Sequence, residues 1–423
     1  MRQVLTLENT KNKRSIWLLS SAMLIFNLVS PFSVADEETP DPEQTAADVQ
    51  TEQKAAQQTK EKLKGKLPSP ELGFSLQDLK VPDGFVVEAY VTQVPNARQM
   101  SFSDDGVLVV GSREAGRVYA IRDDDKDDRH ETVQEIATGL DLPSGVAFYD
   151  GDLYVAALDK ILVYRDFEAQ LKQPFKPKSE VFYDQLPSER HHGWKYLKVI
   201  EDKKQDTAKL IIPIGAPCNV CDKRERYSQI IAVDLASKQA ELVAKGVRNS
   251  VGFDIEPQTG ALWFTDNGRD MMGDDMPADE LNRVDSWGQD FGFPYVHQGD
   301  TLDPEFGNGK SVADFVAPQL KLGAHVAALG MTFYQGDQFP KAYQNGIFIA
   351  EHGSWNRSTK VGYRVVFVPV KDGQLGEAQP FVTGWLQGDS VYGRPADVVV
   401  APDGSLLISD DHKGVIYRVR WEG

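Results

Sequence analysis

The chain has 423 residues, of which 41% are hydrophobic, and it carries a formal net charge of −17. This length exceeds one average domain, yet an all-β barrel or propeller of this size can fold as a single unit. The negative charge argues against nucleic acid or an anionic membrane surface as the main partner, because both would repel the chain.

The first 66 residues predict an exported protein with a leading tether. Basic residues precede an apolar run over 16–34, and Ala35 ends the small-x-small sequence that a signal peptidase needs. We therefore interpret residues 1–35 as a signal peptide, with an uncleaved membrane anchor as the alternative. Residues 36–66 contain no aromatic side chain and are interpreted as a disordered acidic linker. A periplasmic protein is expected, which contacts a membrane only if the leading segment stays uncleaved.

From about Leu67 onward the sequence repeats one pattern six times. Each copy has an apolar strand, a polar turn and a second apolar strand, a spacing that is typical of β-hairpins. Six such units predict an all-β, six-bladed β-propeller over 67–423, because each blade can bury its faces only against its neighbours. The segment Gly84–Val91 is expected to complete the last blade, and a pair of β-sandwiches is the alternative fold. The copies begin at Ala97, Ser144, His191, Arg248, Ala328 and Arg394.

The starts of the inner strands form the candidate site. In a propeller the first strand of each blade faces the central channel, so residues at these starts crowd one mouth of the channel. Arg and His gathered there in an acidic chain predict an anionic ligand, although each Arg could instead pair with an Asp of a neighbouring blade. The residues are Arg98, Gln99, His191, His192, Arg248, Asn249, His325 and Arg394.

Only two cysteines occur, Cys218 and Cys221, and they stand in the sequence CNVC. A haem attachment site would require His immediately afterwards, whereas Asp222 follows. A disulfide within this short loop is therefore predicted for an oxidising compartment, with a free dithiol and a metal half-site as alternatives.

Longer motifs stand in a fixed order across the six copies. They are GSREAGRVYAI, RHHGWKYL, GAPCNVCD, GVRNSVGFDI, TDNGRDMMGDDMPADELNRV, DFGFPY, IAEHGSWNRS and GRPADVVVAPDGSLLISD. This ordered set, which covers roughly residues 81–421, resembles the PQQ-dependent sugar dehydrogenases, the family of soluble glucose, aldose and sorbosone dehydrogenases. The resemblance implies an oxidoreductase that binds pyrroloquinoline quinone (PQQ) and Ca²⁺ across the propeller mouth.

The resemblance also implies which side chains contact the quinone. Arg248 and Asn249 match a cofactor-binding Arg-Asn pair, and Arg394 matches an Arg of the last blade. Arg forks suit the carboxylates of the quinone through bidentate hydrogen bonds. The family carries a second Arg where this chain has Ala396, and Arg357 is the candidate replacement. The remaining candidate contacts are His352 and Gln99.

The implied calcium site is a turn rather than a set of carboxylates. By resemblance the main-chain carbonyls of Gly268 and Arg269 would bind the ion, in keeping with the preference of Ca²⁺ for oxygen ligands. Acidic side chains follow closely, and they are either direct ligands or a solvated loop. They are Asp270, Asp274, Asp275 and Glu280.

The implied reaction removes a hydride from a sugar carbinol carbon while a His takes the hydroxyl proton. His192 is the predicted base, and His191 is the choice under a second alignment. Arg248 is expected to stabilise the oxyanion that forms. In glucose dehydrogenases an Asp follows the strand of the third blade, and Ala216 stands there in this chain. The Asp that would orient the base is therefore missing.

Electrons from the sugar are expected to pass to a separate acceptor, such as a cytochrome or a quinone. Two other functions stay open at this point. A calcium-dependent lactonase can use the same fold, but it would need Glu, Asn and Asp side chains at the channel. A non-catalytic propeller could bind a sugar or a protein partner.

Overall fold

The computed structural model describes residues 72–123, 132–202, 207–371 and 373–423. The predicted signal peptide at 1–35 and the predicted linker at 36–66 lie outside the described residues. Within the described ranges, no helix has both the length and the apolar character that a membrane crossing requires.

Nearly all regular structure in the described ranges is β-strand. Short 3₁₀ turns occur at Leu76–Asp78, Val312–Asp314 and Lys341–Tyr343, and helix α1 at Phe167–Leu171 lies between β8 and β9 as numbered below. The strands of the first half are β1 (Phe85–Val91), β2 (Ala97–Phe102), β3 (Leu108–Ser112), β4 (Arg117–Arg122), β5 (Thr132–Thr138), β6 (Gly145–Tyr149), β7 (Asp152–Ala156), β8 (Ile161–Tyr164), β9 (Glu180–Tyr183), β10 (Lys198–Asp202), β11 (Thr207–Ile214), β12 (Gln229–Asp234) and β13 (Ala240–Lys245).

The second half continues the same pattern with additional short hairpins. Its strands are β14 (Phe253–Ile255), β15 (Leu262–Asp266), β16 (Ala278–Val284), β17 (Gln289–Asp290), β18 (Val296–His297), β19 (Thr301–Leu302), β20 (Leu320–Ala324), β21 (Ala328–Phe333), β22 (Ile347–Glu351), β23 (Arg364–Val368), β24 (Val370–Lys371), β25 (Gln374–Leu375), β26 (Gln379–Val382), β27 (Leu386–Gln387), β28 (Ser390–Val391), β29 (Pro395–Val400), β30 (Leu406–Asp410) and β31 (Val415–Trp421).

These strands form six blades. Blades 1 and 2 are β2–β5 and β6–β9, and blade 3 is β10–β13 with β17 added in parallel at its edge. Blade 4 is β14-β15-β16-β20, blade 5 is β21-β22-β23-β26, and blade 6 is β29-β30-β31 closed by β1. The inner strands β2, β6, β10, β14, β21 and β29 contact one another in that order, and β29 contacts β2. The prediction of a six-bladed propeller is confirmed, and the alternative of two sandwiches is wrong.

The hydrophobic core lies between the blades. In β11, Leu210 and Ile212 pack toward blade 2, whereas Ile211 between them packs toward blade 4. Alternate side chains of a strand point to opposite faces of the sheet, so a strand with neighbours on both sides needs apolar residues at every position. This explains why the strands read as continuous apolar runs.

The ring closes through the two ends of the propeller sequence. Strand β1 pairs antiparallel with β31, which sets Phe85 opposite Trp421. Gly84 before it has a φ of +85°, and an added Cβ would lie 2.4 Å from the Trp421 ring, so glycine is required there. The prediction that Gly84–Val91 completes the last blade is confirmed.

Replacing Phe85 by Ala is expected to lower the free energy of unfolding by about 3–5 kcal/mol. The Phe85 ring is buried, and four aromatic rings, those of Phe339, Tyr343, Phe381 and Trp421, have centroids 4.8–5.1 Å from it. Urea denaturation followed by tryptophan fluorescence measures the change. The matched control is Phe175→Ala, because that ring is 53% exposed. Equal losses in the two variants would contradict the role of Phe85 in closure.

Candidate functional site

Polar side chains from several blades meet at one mouth of the channel. The ring of His192 lies 6.2 Å from the ring of Trp194, and the Arg113 guanidinium lies 4.8 Å from the centroid of the Trp194 ring. Trp194 also packs on the buried apolar residues Val251, Leu329 and Ala396, which lie close behind the starts of three inner strands. The mouth therefore combines a polar rim with an apolar floor.

His192 has the geometry of a base. Its Nδ1 lies 2.9 Å from the carbonyl oxygen of Ala216. A carbonyl only accepts hydrogen bonds, so Nδ1 carries the proton and Nε2 keeps its lone pair. Burial, and then the charge of Arg248, hold the pKa of His192 well below its ordinary value. The imidazole is therefore neutral at pH 7 and able to take a proton.

Ala216, which stands where the sequence lacks an Asp, contacts both His192 and Arg248 through its backbone. Its carbonyl fixes the His192 ring, and its N–H donates to the Arg248 carbonyl over 2.8 Å. The chain after β11 can approach His192 closely because residue 215 is a glycine, since a Cβ at that position would lie 2.6 Å from the Cβ of His192. A backbone carbonyl thus holds the His192 ring at the position where the resemblance implies an Asp.

His191, the alternative base, is exposed to solvent. Its ring centroid lies 4.1 Å from that of His192, and burial of part of the ring lowers its pKa. The His191 ring also contacts the backbone of Cys218, but His191 is exposed whereas His192 is buried, so the geometry favours His192.

Arg248 is buried and already engaged. It donates from Nε to the Asn219 carbonyl at 2.8 Å, from Nη1 to the Asn267 carbonyl at 3.1 Å, and from Nη2 to the side chains of Asn219 and Asp270. Burial lowers its pKa. Four of the five guanidinium N–H groups are used, so one remains for a ligand.

The loop that holds Arg248 is the disulfide loop. Cys218 and Cys221 are bonded, which confirms the predicted disulfide. Asn219 lies between them, and its side-chain oxygen also accepts from the backbone N–H of Asp270 at 2.8 Å. Sequence reasoning missed Asn219; its place between two bonded cysteines, five residues after the end of β11, was the available signal.

Asn249 and the turn at Gly268-Arg269 present free polar groups. The Asn249 side chain is buried and makes no hydrogen bond to any described residue. The Gly268 N–H donates to Asp279 at 2.8 Å, whereas the carbonyls of Gly268 and Arg269 accept no hydrogen bond from the described residues. Two free carbonyls in one turn suit a hard cation.

The acidic side chains near that turn already bind other protein groups. Asp270 forms an ion pair with Arg248 at 3.1 Å, Asp274 accepts from the backbone N–H of Ser358 at 3.0 Å, and Arg269 turns its side chain inward onto Asp303. Within the described ranges, no group of three or more His, Cys, Asp or Glu could hold a metal. A calcium ion here would therefore depend on main-chain oxygens.

Blade 6 and the loop beside it supply further predicted residues. Arg394 donates to the carbonyls of His352 at 3.1 Å and Gly353 at 2.8 Å. His352 Nε2 lies 2.8 Å from Asp411, and burial lowers the pKa of His352 to about 4. Both side chains thus have protein partners, and their contact with a cofactor stays a prediction.

Two other predicted contacts are placed differently. Arg357 donates to the Asp274 carbonyl at 2.5 Å and pairs with Asp275 at 3.3 Å, so it ties two loops together. Gln99 is buried; its oxygen accepts from the N–H groups of Val146 and Leu197 at 3.0 and 2.8 Å. The geometry does not support a cofactor contact at Gln99, because its amide joins the inner strands of blades 1, 2 and 3.

Two buried carboxylates lie beside Arg248. Asp266 and Glu280 are opposite each other on β15 and β16, and with His297 they line a small pocket of about 10 Å³. Asp266 accepts the backbone N–H groups of Arg248 and Asn249 at 2.8 and 2.6 Å. Burial raises the pKa of Asp266 to about 7 and that of Glu280 to about 8.

These shifts predict a pH-dependent stability. A folded-state pKa near 8, above the ordinary value of 4.5, means that the folded chain binds this proton more tightly than the unfolded chain. The free energy of unfolding therefore falls as pH rises between these values, by more than about 1 kcal/mol. Glu280→Gln should flatten that slope in urea titrations from pH 5 to 8. The exposed Glu201→Gln is the control, and an unchanged slope in Glu280→Gln would contradict the assignment.

Comparison with known proteins adds to this geometry. A family model described as TrAA12-like matches residues 79–299, which is more than half of the chain, and one described as Glucose / Sorbosone dehydrogenase matches residues 229–418. An uncharacterised protein of Borreliella burgdorferi is 36% identical over 356 residues, covering 81% of this chain and 91% of that protein.

Solved structures share the fold. The calcium structure of a Trichoderma reesei carbohydrate-active enzyme of family AA12 has a TM-score of 0.69 at 20% identity, covering 81% of this chain and 97% of that one. The holo form of the pyranose dehydrogenase PQQ domain from Coprinopsis cinerea has a TM-score of 0.67 at 18% identity, with the same coverage of 81% and 97%. With the family-model match, the six blades and the ordered motifs in agreement, this chain belongs to the family of PQQ-dependent sugar dehydrogenases.

Proposed function

We propose that this protein oxidises a sugar of the aldose or sorbosone type, with PQQ as hydride acceptor, Ca²⁺ beside it, and a separate protein or quinone as the final electron acceptor. The observation that carries the proposal is the neutral His192, whose Nε2 lone pair is free while its Nδ1 is held by Ala216. This base lies at a mouth rich in arginine, in a chain of this family.

The free groups at the mouth fit the implied cofactors. The Asn249 amide, Arg394 and the remaining N–H of Arg248 would contact the quinone, and the Gly268 and Arg269 carbonyls would hold the calcium ion. When bound, PQQ supplies a two-electron acceptor and Ca²⁺ supplies a Lewis acid. The relatives whose structures are a holo PQQ domain and a calcium complex support the same pair here.

The protein's own residues would move the proton and stabilise charge. His192 Nε2 accepts the proton of the sugar hydroxyl, and the hydrogen bond to Ala216 keeps the ring in the correct tautomer throughout. The buried Arg248 cation lowers the pKa of His192 and favours negative charge that develops nearby. Its own position is fixed by Asn219 and Asp270.

The disulfide bears on the location of the protein, and the acidic side chains bear on the competing functions. The Cys218–Cys221 disulfide supports an oxidising compartment, and the periplasm is the proposed location. A calcium-dependent lactonase would need metal-binding side chains, and the described residues offer no such group. No specific contact favours a non-catalytic propeller over the enzyme.

A reconstitution experiment tests the proposed function. The purified full chain is incubated with PQQ and Ca²⁺, passed through gel filtration, and assayed for dye reduction with a panel of aldoses, sorbosone and simple alcohols. We expect quinone absorbance to co-elute with the protein, dye reduction with at least one sugar, and loss of both on chelation of calcium. Absence of bound quinone together with absence of dye reduction would sink the proposal.

The base assignment has its own test. His192→Gln should lower kcat by about 10²- to 10⁴-fold while quinone binding is retained. His191→Gln, on the exposed neighbour, is the matched control and should change kcat far less. In the wild type, kcat/KM should hold as pH falls to 6.5 and decline only below it, because His192 stays neutral until a lower pH. Full activity in His192→Gln would rule out this base.

A further inference from the structure

We propose that Arg98, Arg113 and Trp194 form a second anion-binding wall at the mouth, which takes a carboxylate group of a planar aromatic polycarboxylate. This wall lies on blades 1 and 3, and its Trp194 ring packs against Ala396, the position at which the resemblance implies a second Arg. The identity of the ligand as PQQ rests on the proposed function, whereas the anion site itself rests on the contacts described below.

Three buried donors in this wall make no hydrogen bond within the described chain, although one of them, Arg98 Nε, faces Asp411 in an ion pair at 3.3 Å. The Nε atoms of Arg98 and Arg113 and the indole Nε1 of Trp194 are all buried, and none finds a hydrogen-bond partner among the described residues. A buried donor without a partner costs about 1–3 kcal/mol, so native proteins rarely leave one unpaired. Three of them in one contiguous cluster indicate a ligand with acceptor oxygens.

The three side chains converge on one place. The guanidinium carbons of Arg98 and Arg113 lie 5.9 and 4.8 Å from the centroid of the Trp194 ring. Arg98 is only 5% exposed, so it is a built part of the wall rather than a surface side chain. Because two cations share one aromatic ring, the group is held together without using up its N–H donors.

Charge in this wall is not balanced by protein carboxylates. Asp411 Oδ2 lies 3.3 Å from Arg98 Nε and 3.5 Å from Arg113 Nη1, while Asp411 Oδ1 faces His352 at 2.8 Å. One carboxylate therefore serves two arginines and a histidine, and Arg394 adds a further positive charge near Arg98.

Asp397 is the second carboxylate whose charge acts on Arg98, but its oxygens bind other groups. It accepts hydrogen bonds from the Met100 N–H at 2.8 Å and from the Tyr196 hydroxyl at 3.0 Å. An ion pair with Asp alone therefore does not account for this wall, and an added anion would satisfy both the charge and the free donors.

The wall also lies close enough to His192 for one planar ligand to contact both. The ring centroids of Trp194 and His192 are 6.2 Å apart. A planar ligand anchored by one carboxylate at this wall would extend across the apolar floor of Val251, Leu329 and Ala396 toward His192. Arg98, Arg113 and Trp194 are thus assigned as binding residues for the aromatic ligand, not for the sugar.

Binding measurements on the full chain test this inference with two ligands, PQQ and benzene-1,2,4-tricarboxylate, which is planar and anionic but has no quinone. Arg113→Gln should weaken the affinity for both by about 10-fold or more, and Trp194→Phe, which removes the indole N–H and leaves a smaller aromatic ring, by about 3- to 10-fold. The matched control is Arg117→Gln, on the same blade, whose exposed side chain pairs with Glu135 and should leave both affinities unchanged.

The pattern of results separates this inference from the proposed function. Unchanged PQQ affinity in both variants, with PQQ bound by the wild type, overturns the wall and leaves the proposed function standing. The wild type could instead bind the tricarboxylate but not PQQ, with the tricarboxylate affinity lowered in both variants. That result supports the wall and contradicts the proposed function. If the wild type binds neither ligand, the wall is overturned. Circular dichroism checks that each variant is folded. If Arg113→Gln does not fold, Trp194→Phe alone still tests the wall.

Discussion

The structure depends on buried carboxylates that hold backbone N–H groups at the channel mouth. Asp266 accepts from Arg248 and Asn249, Asp279 accepts from Ala327 and Ala328, and Asp410 accepts from Arg394. Each of these carboxylates fixes the backbone at the start of an inner strand. The position of that start determines which side chains enter the mouth. Burial of these acids raises their pKa values to about 7, 6 and 6, which is the electrostatic cost of the arrangement.

Because carboxylates hold the backbone at the mouth, backbone groups there can make contacts that a side chain would otherwise have to make. Ala216 orients His192 through its carbonyl and reaches Arg248 through its N–H. Gly268 donates its N–H to Asp279, which leaves its carbonyl free at the mouth. A main-chain group has no rotamer to lose, so a site built this way keeps its geometry when side-chain identities change. The absence of an Asp at position 216 therefore does not argue against a working base.

The fold could be predicted from sequence because each blade repeats the same apolar runs and turns, and because Gly84–Val91 was left over as a strand. His192 and Arg248 could be picked out as candidates because they lie in the segments that lead into the inner strands β10 and β14. Gln99 begins one too, yet sequence does not show which way a side chain points, and its amide joins three blades. The cluster of Arg113 and Trp194 depends on a contact between blades 1 and 3, for which the repeat pattern carries no signal.

The closure by β1 and β31 has a consequence for synthesis. Blade 6 takes one strand from the beginning of the propeller sequence and three from its end, so it cannot assemble until Trp421 has left the ribosome. Arg394 and Asp411, which flank strands β29 and β30 of blade 6, therefore join the mouth only when the ring closes. A chain whose ring is still open therefore has an incomplete anion site. Only the closed ring can bind the anionic ligand.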